Sequence, residues 1–173
     1  MAVLNQAFGP YRLLRQLSDA DVGEALLAKR VGPEGFEKRV VIRRVRWSEG
    51  SRDERFAGMA SEANTAAMLS HANIAHLLDL GARGPWSFVA TEHVDGCALA
   101  DVLRRDHSLS WALAAFIASE VARGLSYVHG RRHPTGELLR LVHRRITPRR
   151  IALGTAGDVK VTGFGTSWAW AEH

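Results

Sequence analysis

The chain has 173 residues, of which 46% are hydrophobic and 24% charged, and its formal net charge is +5 at pH 7. This composition is typical of one folded domain and excludes a disordered or low-complexity chain. Its single cysteine, Cys97, excludes an intramolecular disulfide, and no apolar stretch has the length of a signal peptide or a membrane span. We therefore expect a cytoplasmic protein with no membrane segment, whose basic balance favours acidic partners.

The first half of the chain predicts strands around one helix. Apolar runs at 11–17 and 24–30 flank the turn-prone SDADVG and predict a hairpin. Alternating β-branched residues at 39–46 predict a third strand. Ser51 and Glu54 form a capping-box signature that begins a helix. Two further strands are expected within IAHLLDL and WSFVATEHV.

The second half predicts mainly helices. A short helix is expected at 100–106 and a long one at 110–130, with Ser110 as its N-cap and Gly130 as its C′ residue. A hairpin is expected within 151–165. A composition shift near 94–96 suggests the joint between two lobes.

Six segments resemble, in the correct order, the parts of a bacterial serine/threonine protein kinase. These segments are FGPYRLLRQL, FEKRVVIRRV, SEANTAAMLSHANIAHLLDLG, ATEHVDGCAL, ARGLSYVHG with LVHRRITPRRIAL, and VKVTGFG. The resemblance implies an α+β protein kinase-like fold. We expect a small N-terminal antiparallel-sheet lobe with one αC helix over 1–93, and a mainly helical C-terminal lobe over 94–173, cut short after GFG. The hinge is expected near 92–95.

Several kinase match positions carry unexpected residues. The glycine-rich loop falls on Ser18, Ala20 and Gly23, so that only its third glycine is kept. The strand lysine, the base aspartate, the metal-binding asparagine and the metal-binding aspartate fall on Arg43, Arg145, Arg150 and Gly163. Because a guanidinium offers magnesium no oxygen ligand, the resemblance implies that the usual metal site is lost.

From these substitutions we expect that the chain is not an enzyme. The leading hypothesis is a catalytically inactive, pseudokinase-like module with a scaffolding, regulatory or protein-binding role. One alternative is weak nucleotide binding or an atypical ATP-dependent phosphotransferase. The other is a polyanion or nucleic-acid binder that uses the arginine-rich loop. No cofactor is expected, and the alternative is ATP bound without magnesium. No cluster of histidine or cysteine residues has the spacing of metal ligands, so no metal site is expected.

Other match positions retain a nucleotide pocket in outline. They are Val41, Glu62, Thr91, Glu92 and Val94. Glu62 matches the αC glutamate, where it either keeps an active-like helix position or pairs with Arg43 as a brace between elements. His143 and Phe164 match residues that usually pack in the core.

The stretch LVHRRITPRR and the long helix suggest two binding surfaces. Arg145 and Arg150 are expected to face the cleft as a pocket for phosphate, a phosphorylated peptide or an acidic tail, unless they are solvated or paired, while Arg149 points to solvent. The apolar stripe that includes Ile117 and Leu125, with Trp168 and Trp170 near the end of the sequence, predicts an interface with a protein partner or a homodimer. Nucleic acid is not expected, since no nucleic-acid motif is present.

Overall fold

A computed structural model of the chain describes residues 3–17, 23–47, 52–106 and 108–166. The helices and strands are β1 Val3–Phe8, β2 Tyr11–Gln16, β3 Glu24–Val31, β4 Glu37–Arg46, α1 Arg52–Ala67, β5 Leu77–Arg83, β6 Trp86–Glu92, β7 Gly96–Ala98, α2 Leu99–Asp106, α3 Trp111–Gly130, β8 Ile151–Gly154 and β9 Val159–Val161. A short 3-10 turn, Pro148–Arg150, precedes β8.

Within the described ranges, six antiparallel strands form one sheet in the order β1-β2-β3-β4-β6-β5. The predicted hairpin of β2 and β3 and the predicted strands β4, β5 and β6 are confirmed. Strand β1 was not expected as a separate element. It pairs with β2 through a tight turn in which Gly9 has a φ of 62°, a backbone conformation that glycine adopts without a steric penalty.

One face of this sheet carries a core of aromatic and β-branched side chains. Its buried members are Phe8, Tyr11, Leu13, Leu26, Ala28, Val40, Ile42, Phe88 and Ala90. Side chains of one strand face alternate ways, so positions two apart, such as Val40 and Ile42, lie on the same face. The Tyr11 hydroxyl donates a 2.6 Å hydrogen bond to Asp79, which links β2 to β5 across the sheet. The sheet therefore has a packed interior of its own.

The second part of the chain is built around α3. The predicted N-cap is confirmed, since the Ser110 hydroxyl accepts a 3.3 Å hydrogen bond from the Leu113 amide. The predicted C′ glycine is wrong. Gly130 is the last helical residue, and the cap is Arg131 with an extended φ of −70°, so the helix ends without the left-handed turn that would favour glycine.

Asn73 joins the loop after α1 to the helical part. Its side-chain amide donates to Glu120 on α3 at 2.8 Å and to the carbonyl of Val159 on β9 at 2.9 Å. Its own carbonyl accepts from the Val161 amide at 2.8 Å. Asn73 is only 5% exposed, so these bonds satisfy polar groups that water does not reach. This junction holds α1, α3 and β9 in a fixed arrangement.

The predicted apolar stripe of α3 faces two environments. Ile117 is 4% exposed and belongs to the core between α3 and the β8–β9 hairpin, whereas Phe116 is 47% exposed and Trp111 is 93% exposed. Ile117 is mostly covered within the fold, and its place at an interface stays a prediction. Leu125 is partly buried, and Trp168 and Trp170 lie outside the described residues.

The predicted α+β layout, a strand-rich first part followed by a mainly helical second part, is confirmed. An antiparallel sheet with one helix, α1, is followed by α2, α3 and the small antiparallel sheet of β7, β8 and β9. In the ranges that the structure describes, no helix combines the length and the apolar character needed to cross a bilayer.

Candidate functional site

A cleft of about 760 Å³ lies between the six-stranded sheet and the helical part. Its walls come from β2, β3, β4 and β6 on one side, and from α2, the 3-10 turn and β8 on the other, with β7 at the back. The described lining residues are Arg15, Gln16, Leu17, Ala25, Val41, Arg43, Thr91, Glu92, His93, Val94, Gly96, Cys97, Ala98, Ala100, Asp101, Arg104, Arg105, Arg149, Arg150, Ile151, Ala152 and Thr162. The cleft is large enough for a drug-sized or nucleotide-sized ligand.

The back of the cleft is formed by the segment that leaves β6. Thr91 is 3% exposed. The Glu92 carboxylate forms a 2.9 Å ion pair with Lys160 on β9 and accepts a 3.0 Å hydrogen bond from the His76 amide. Val94 follows outside any strand and lines the cleft. Among the described residues, no backbone hydrogen bond engages its amide or its carbonyl.

The deep end of the cleft is occupied by a buried cation. Arg150 is 4% exposed, and one of its guanidinium nitrogens would lie 2.7 Å from a Cβ atom built on Gly163. Gly163 also has a φ of +98°, which side chains rarely adopt. A side chain at position 163 and the Arg150 guanidinium therefore compete for one space.

The described lining of the cleft includes six arginines: Arg15, Arg43, Arg104, Arg105, Arg149 and Arg150. Glu92 and Asp101 are the carboxylates among the described lining residues, and they pair with Lys160 and Arg104. Arginines therefore outnumber carboxylates among the described lining residues. Arg149 is exposed to solvent, as predicted, and also lines the cleft, whereas Arg145, which was predicted to face the cleft, is not among its described lining residues.

His143 lies behind the cleft as a neutral hydrogen-bonded residue. Its Nε2 donates to the carbonyl of Thr162 at 2.9 Å, its Nδ1 accepts from the amide of Arg145 at 3.3 Å, and its ring meets that of Phe164 edge to face at 4.6 Å. Burial lowers the pKa of His143 below its ordinary value of 6.5, and the nearby positive charges of Arg150 and Arg43 lower it further. The packing role expected of His143 and Phe164 agrees with these contacts.

The lowered pKa of His143 predicts a pH-dependent stability. Because the folded pKa lies below 6.5, the unfolded chain binds more protons as the pH falls. The contribution of His143 is fully present above pH 6.5 and is lost as the pH falls through the folded value. Urea unfolding between pH 7.5 and pH 5 should therefore show a smaller loss of stability in His143→Gln than in the wild type. The same loss in both proteins would contradict this assignment.

The other predicted pocket residues fall into two groups. Val41, Thr91, Glu92, Val94 and Arg43 line the cleft, whereas Ser18 and Ala20 lie outside the described residues. At Gly23, φ is +68° and an added Cβ would lie 2.3 Å from the carbonyl oxygen of Arg44, so this glycine is required by the close approach of β3 to β4. The pairing of Glu62 with Arg43 stays a prediction.

The residues at the deep end of the cleft do not fit a magnesium site. Magnesium requires oxygen ligands in octahedral order, and position 163 has no side chain while position 150 offers only a guanidinium. Across the described part of the chain, no group of three or more histidine, cysteine, aspartate or glutamate side chains has a metal-binding arrangement.

Comparison with known proteins decides the family. The family model described as protein kinase domain matches residues 15–173. The chain belongs to the protein kinase domain family. A solved structure of the PknI kinase domain from Mycobacterium tuberculosis shares the fold of this kinase domain with a TM-score of 0.72 at 24% identity, over 95% of this chain and 64% of that one.

The curated relatives of this kinase domain are named as kinases. The tyrosine-protein kinase MasK of Myxococcus xanthus is 32% identical over 96% of this chain and 26% of its own length. The serine/threonine-protein kinase PknA of Mycobacterium tuberculosis is 30% identical over 93% of this chain and 36% of its own length. The serine/threonine-protein kinase PrkC of Bacillus subtilis is 25% identical over 98% of this chain and 24% of its own length. The chain thus spans about a quarter to a third of these relatives' length.

These relatives overturn the prediction that the chain is not an enzyme. That prediction rested on substitutions at kinase match positions, chiefly Arg43, Arg145, Arg150 and Gly163, but the kinases that match nearly the whole chain point to an enzyme. The substitutions still distinguish this chain from the usual residues at these kinase match positions. They do not by themselves set the class of the protein.

Sequence reasoning missed three groups that shape the cleft. Lys160 was not singled out, because its partner Glu92 is 68 residues away. Arg104 and Arg105 were passed over, although the pair of adjacent arginines at the end of a predicted helix beside the hinge was a visible signal. Their position at the cleft depends on how α2 packs against the 3-10 turn, which composition does not reveal.

Proposed function

We propose that this kinase domain binds ATP in the cleft and works as an atypical ATP-dependent phosphotransferase in which arginines take the place of magnesium ligands. The observation that carries this proposal is the buried Arg150, whose guanidinium fills the space beside the side-chain-free Gly163. A permanent cation at this point suits a phosphate group without a metal ion.

The back of the cleft supports recognition of the nucleotide base. The amide and carbonyl of Val94 offer one donor and one acceptor, and the small side chains of Ala25 and Ala152 leave the walls open for a flat ring. A mostly apolar pocket with a few placed polar groups is the usual character of a small-molecule site. We therefore place the base at Val94 and the phosphates toward Arg43 and Arg150.

Arginines can supply much of what phosphoryl transfer requires. Catalysis of this reaction consists largely of positioning and of stabilising negative charge on the transferring group. Arg43 and Arg150 lie in the same cleft and keep their charge at every physiological pH. We propose that they orient the phosphates and balance their charge, while the cleft walls exclude water.

A thermal-shift titration tests the binding step. ATP in EDTA should raise the unfolding temperature as much as ATP with magnesium, and at one hundred times its dissociation constant the ligand adds about 2.7 kcal/mol of stability. Ala152→Phe should fill the cleft and abolish the shift. Ala156→Phe, in the exposed β8–β9 turn, is the matched control and should keep it. No shift with ATP, or a shift that requires magnesium, would refute an arginine-based site.

Transfer of phosphate needs a separate measurement. Incubation with labelled ATP should give incorporation into the chain or a generic protein substrate in EDTA as well as in magnesium, and Arg43→Ala should abolish it. Binding of ATP without any incorporation would retain the nucleotide site and reject the transferase activity. Incorporation that Arg43→Ala leaves unchanged would reject the role given to this arginine.

A second candidate function is regulation of a protein partner, and an apolar groove on α3 favours it. This groove has a volume of about 380 Å³, and its described lining is Leu99, Leu109, Ala114, Ile117, Ala118, Val121, Ala122, Leu125 and Ile151. Solvent-facing apolar surface of this kind is typical of protein contacts. We propose a protein partner or a second copy there. Light scattering of the wild type and of Ala118→Glu tests for a second copy. Because Ala118 is exposed, a glutamate there adds a negative charge to the groove without disturbing the core, and it should dissociate a dimer formed through this surface.

A further inference from the structure

The Glu92 carboxylate at the back of the cleft is held by β9. Its Oε1 accepts hydrogen bonds from the Lys160 ammonium at 2.9 Å and from the His76 amide at 3.0 Å. The side chains of Lys160 and Glu92 are only 18% and 21% exposed, so solvent screens this ion pair less than one on the open surface. Glu92 ends β6 of the six-stranded sheet, whereas Lys160 lies in the three-stranded sheet. The pair therefore joins the two sheets at the point where the chain leaves β6.

The segment that leaves β6 is bound to the β8–β9 hairpin at its other end as well. The amide of Thr155, in the turn of that hairpin, donates to the carbonyl of Asp95 at 2.8 Å. One residue later, Gly96 pairs with Gly154 on β8. The hairpin thus holds the segment on both sides of Val94, whose amide and carbonyl line the base end of the proposed nucleotide site.

Lys160 belongs to a row of side chains that reaches the cleft. Residues directly opposite each other on antiparallel strands carry their side chains on the same face of a sheet, and Ala98, Ala152 and Lys160 are paired in this way across β7, β8 and β9. Ala98 and Ala152 line the cleft. Lys160 ends the row, and its ammonium is bound to Glu92, which is itself a lining residue. Loss of the ion pair would release a carboxylate beside the place proposed for the base.

We propose that Lys160 is a positioning residue for the nucleotide base, which acts through Glu92 to fix the segment that carries Val94. This proposal rests on the nucleotide site proposed above. An ion pair between two elements can also serve the fold alone, and its loss would then weaken every ligand of the cleft. A positioning role differs, because Lys160 lies at the base end and the phosphates are placed at Arg43 and Arg150. Its loss should weaken binding of the base and spare binding of the phosphates.

Calorimetric titration in EDTA, with adenosine and separately with tripolyphosphate, tests this role. Lys160→Met and Glu92→Gln break the same ion pair and change the net charge in opposite directions. Each should weaken adenosine binding about tenfold, the effect of losing one well-placed hydrogen bond to the base. The double variant should lose no more than either single variant, because the two side chains act as one unit. Tripolyphosphate binding should change much less in both single variants.

Lys29→Met is the matched control. Lys29 forms a 2.6 Å ion pair with Glu37, its side chain is 23% exposed, and it lies outside the described lining of the cleft. This variant should bind adenosine as the wild type does. In the ligand-free protein, amide hydrogen exchange at residues 93–95 should be faster in Lys160→Met than in the wild type and unchanged in Lys29→Met, since only the first loosens the segment.

Adenosine binding that Lys160→Met and Glu92→Gln leave unchanged would overturn this proposal and retain the nucleotide site. An equal loss of adenosine and tripolyphosphate binding, or the same loss in Lys29→Met, would also overturn it, since either indicates a general loss of stability. Opposite effects of the two variants on adenosine would reject it in favour of charge alone. A wild type that binds neither adenosine nor ATP would refute the nucleotide site itself, and this proposal with it.

Discussion

Gly23→Ala should destabilise the fold by about 2–4 kcal/mol, the combined result of a left-handed backbone and a blocked contact between strands. At Gly23, φ is +68°, and a Cβ atom would lie 2.3 Å from the carbonyl oxygen of Arg44. Backbone atoms cannot move aside as the end of a flexible side chain does, so β3 and β4 must separate where Glu24 pairs with Arg44. Urea unfolding with an unchanged m-value would measure the loss.

Gly35→Ala is the control for the cost of placing alanine in a left-handed backbone conformation. Gly35 has a φ of +80°, and no atom lies within 4 Å of a Cβ built there, so alanine should cost only the left-handed conformation, about 1–2 kcal/mol. The difference between the two variants isolates the contact with Arg44. Equal losses at both positions would mean that β3 and β4 accommodate the added atom, and that the close approach does not explain this glycine.

Ile117→Ala should lower the free energy of unfolding by about 2–4 kcal/mol, because it removes a buried side chain and leaves a cavity between α3 and the β8–β9 hairpin. Ile117 is 4% exposed and belongs to the same core as Val128 and Val161. Ile117→Glu should have a still larger effect, since an unpaired carboxylate would be buried there. Domains are only about 5–15 kcal/mol stable, so this variant should be largely unfolded.

Phe116 lies beside Ile117 on the same helix and provides the comparison. It is 47% exposed, and Phe116→Ala should cost clearly less than Ile117→Ala although it removes a larger side chain. Circular dichroism of both variants against temperature measures the two losses. A loss at Phe116 as large as that at Ile117 would indicate that the side of α3 that carries Phe116 is covered in solution, and would contradict its 47% exposure.

Local pattern was enough to predict most of the fold. Alternation of β-branched residues marked β4, turn residues marked the hairpin of β2 and β3, and Ser110 marked the start of α3, since each signal depends on residues close in sequence. The end of α3 was missed because Arg131 terminates the helix with an extended backbone, which has no residue preference as strong as that of glycine. The face of α3 that Ile117 occupies was missed because periodicity identifies apolar stripes and does not say which one is covered.

The candidate site was less predictable, because its geometry is non-local. The bonds of Asn73 to Glu120 and Val159 span 47 and 86 residues, and no short pattern specifies them. The sequence indicated that Arg150 faces the cleft, but it could not show that Gly163 provides the space for this side chain. The position of Arg145 outside the described cleft lining was not predicted for a similar reason, since the direction of a side chain in an irregular loop depends on the local backbone path.

The shared space of Arg150 and Gly163 also restricts the mutational paths open to this cleft. A carboxylate at position 163 requires the Arg150 guanidinium to shift, since its Cβ atom alone would lie 2.7 Å from a nitrogen of Arg150, and it must also adopt a φ of +98°. Removal of Arg150 first would leave the buried pocket without its cation. The two positions are therefore coupled, and a library that varies both together should recover combinations that a library varying one position at a time does not.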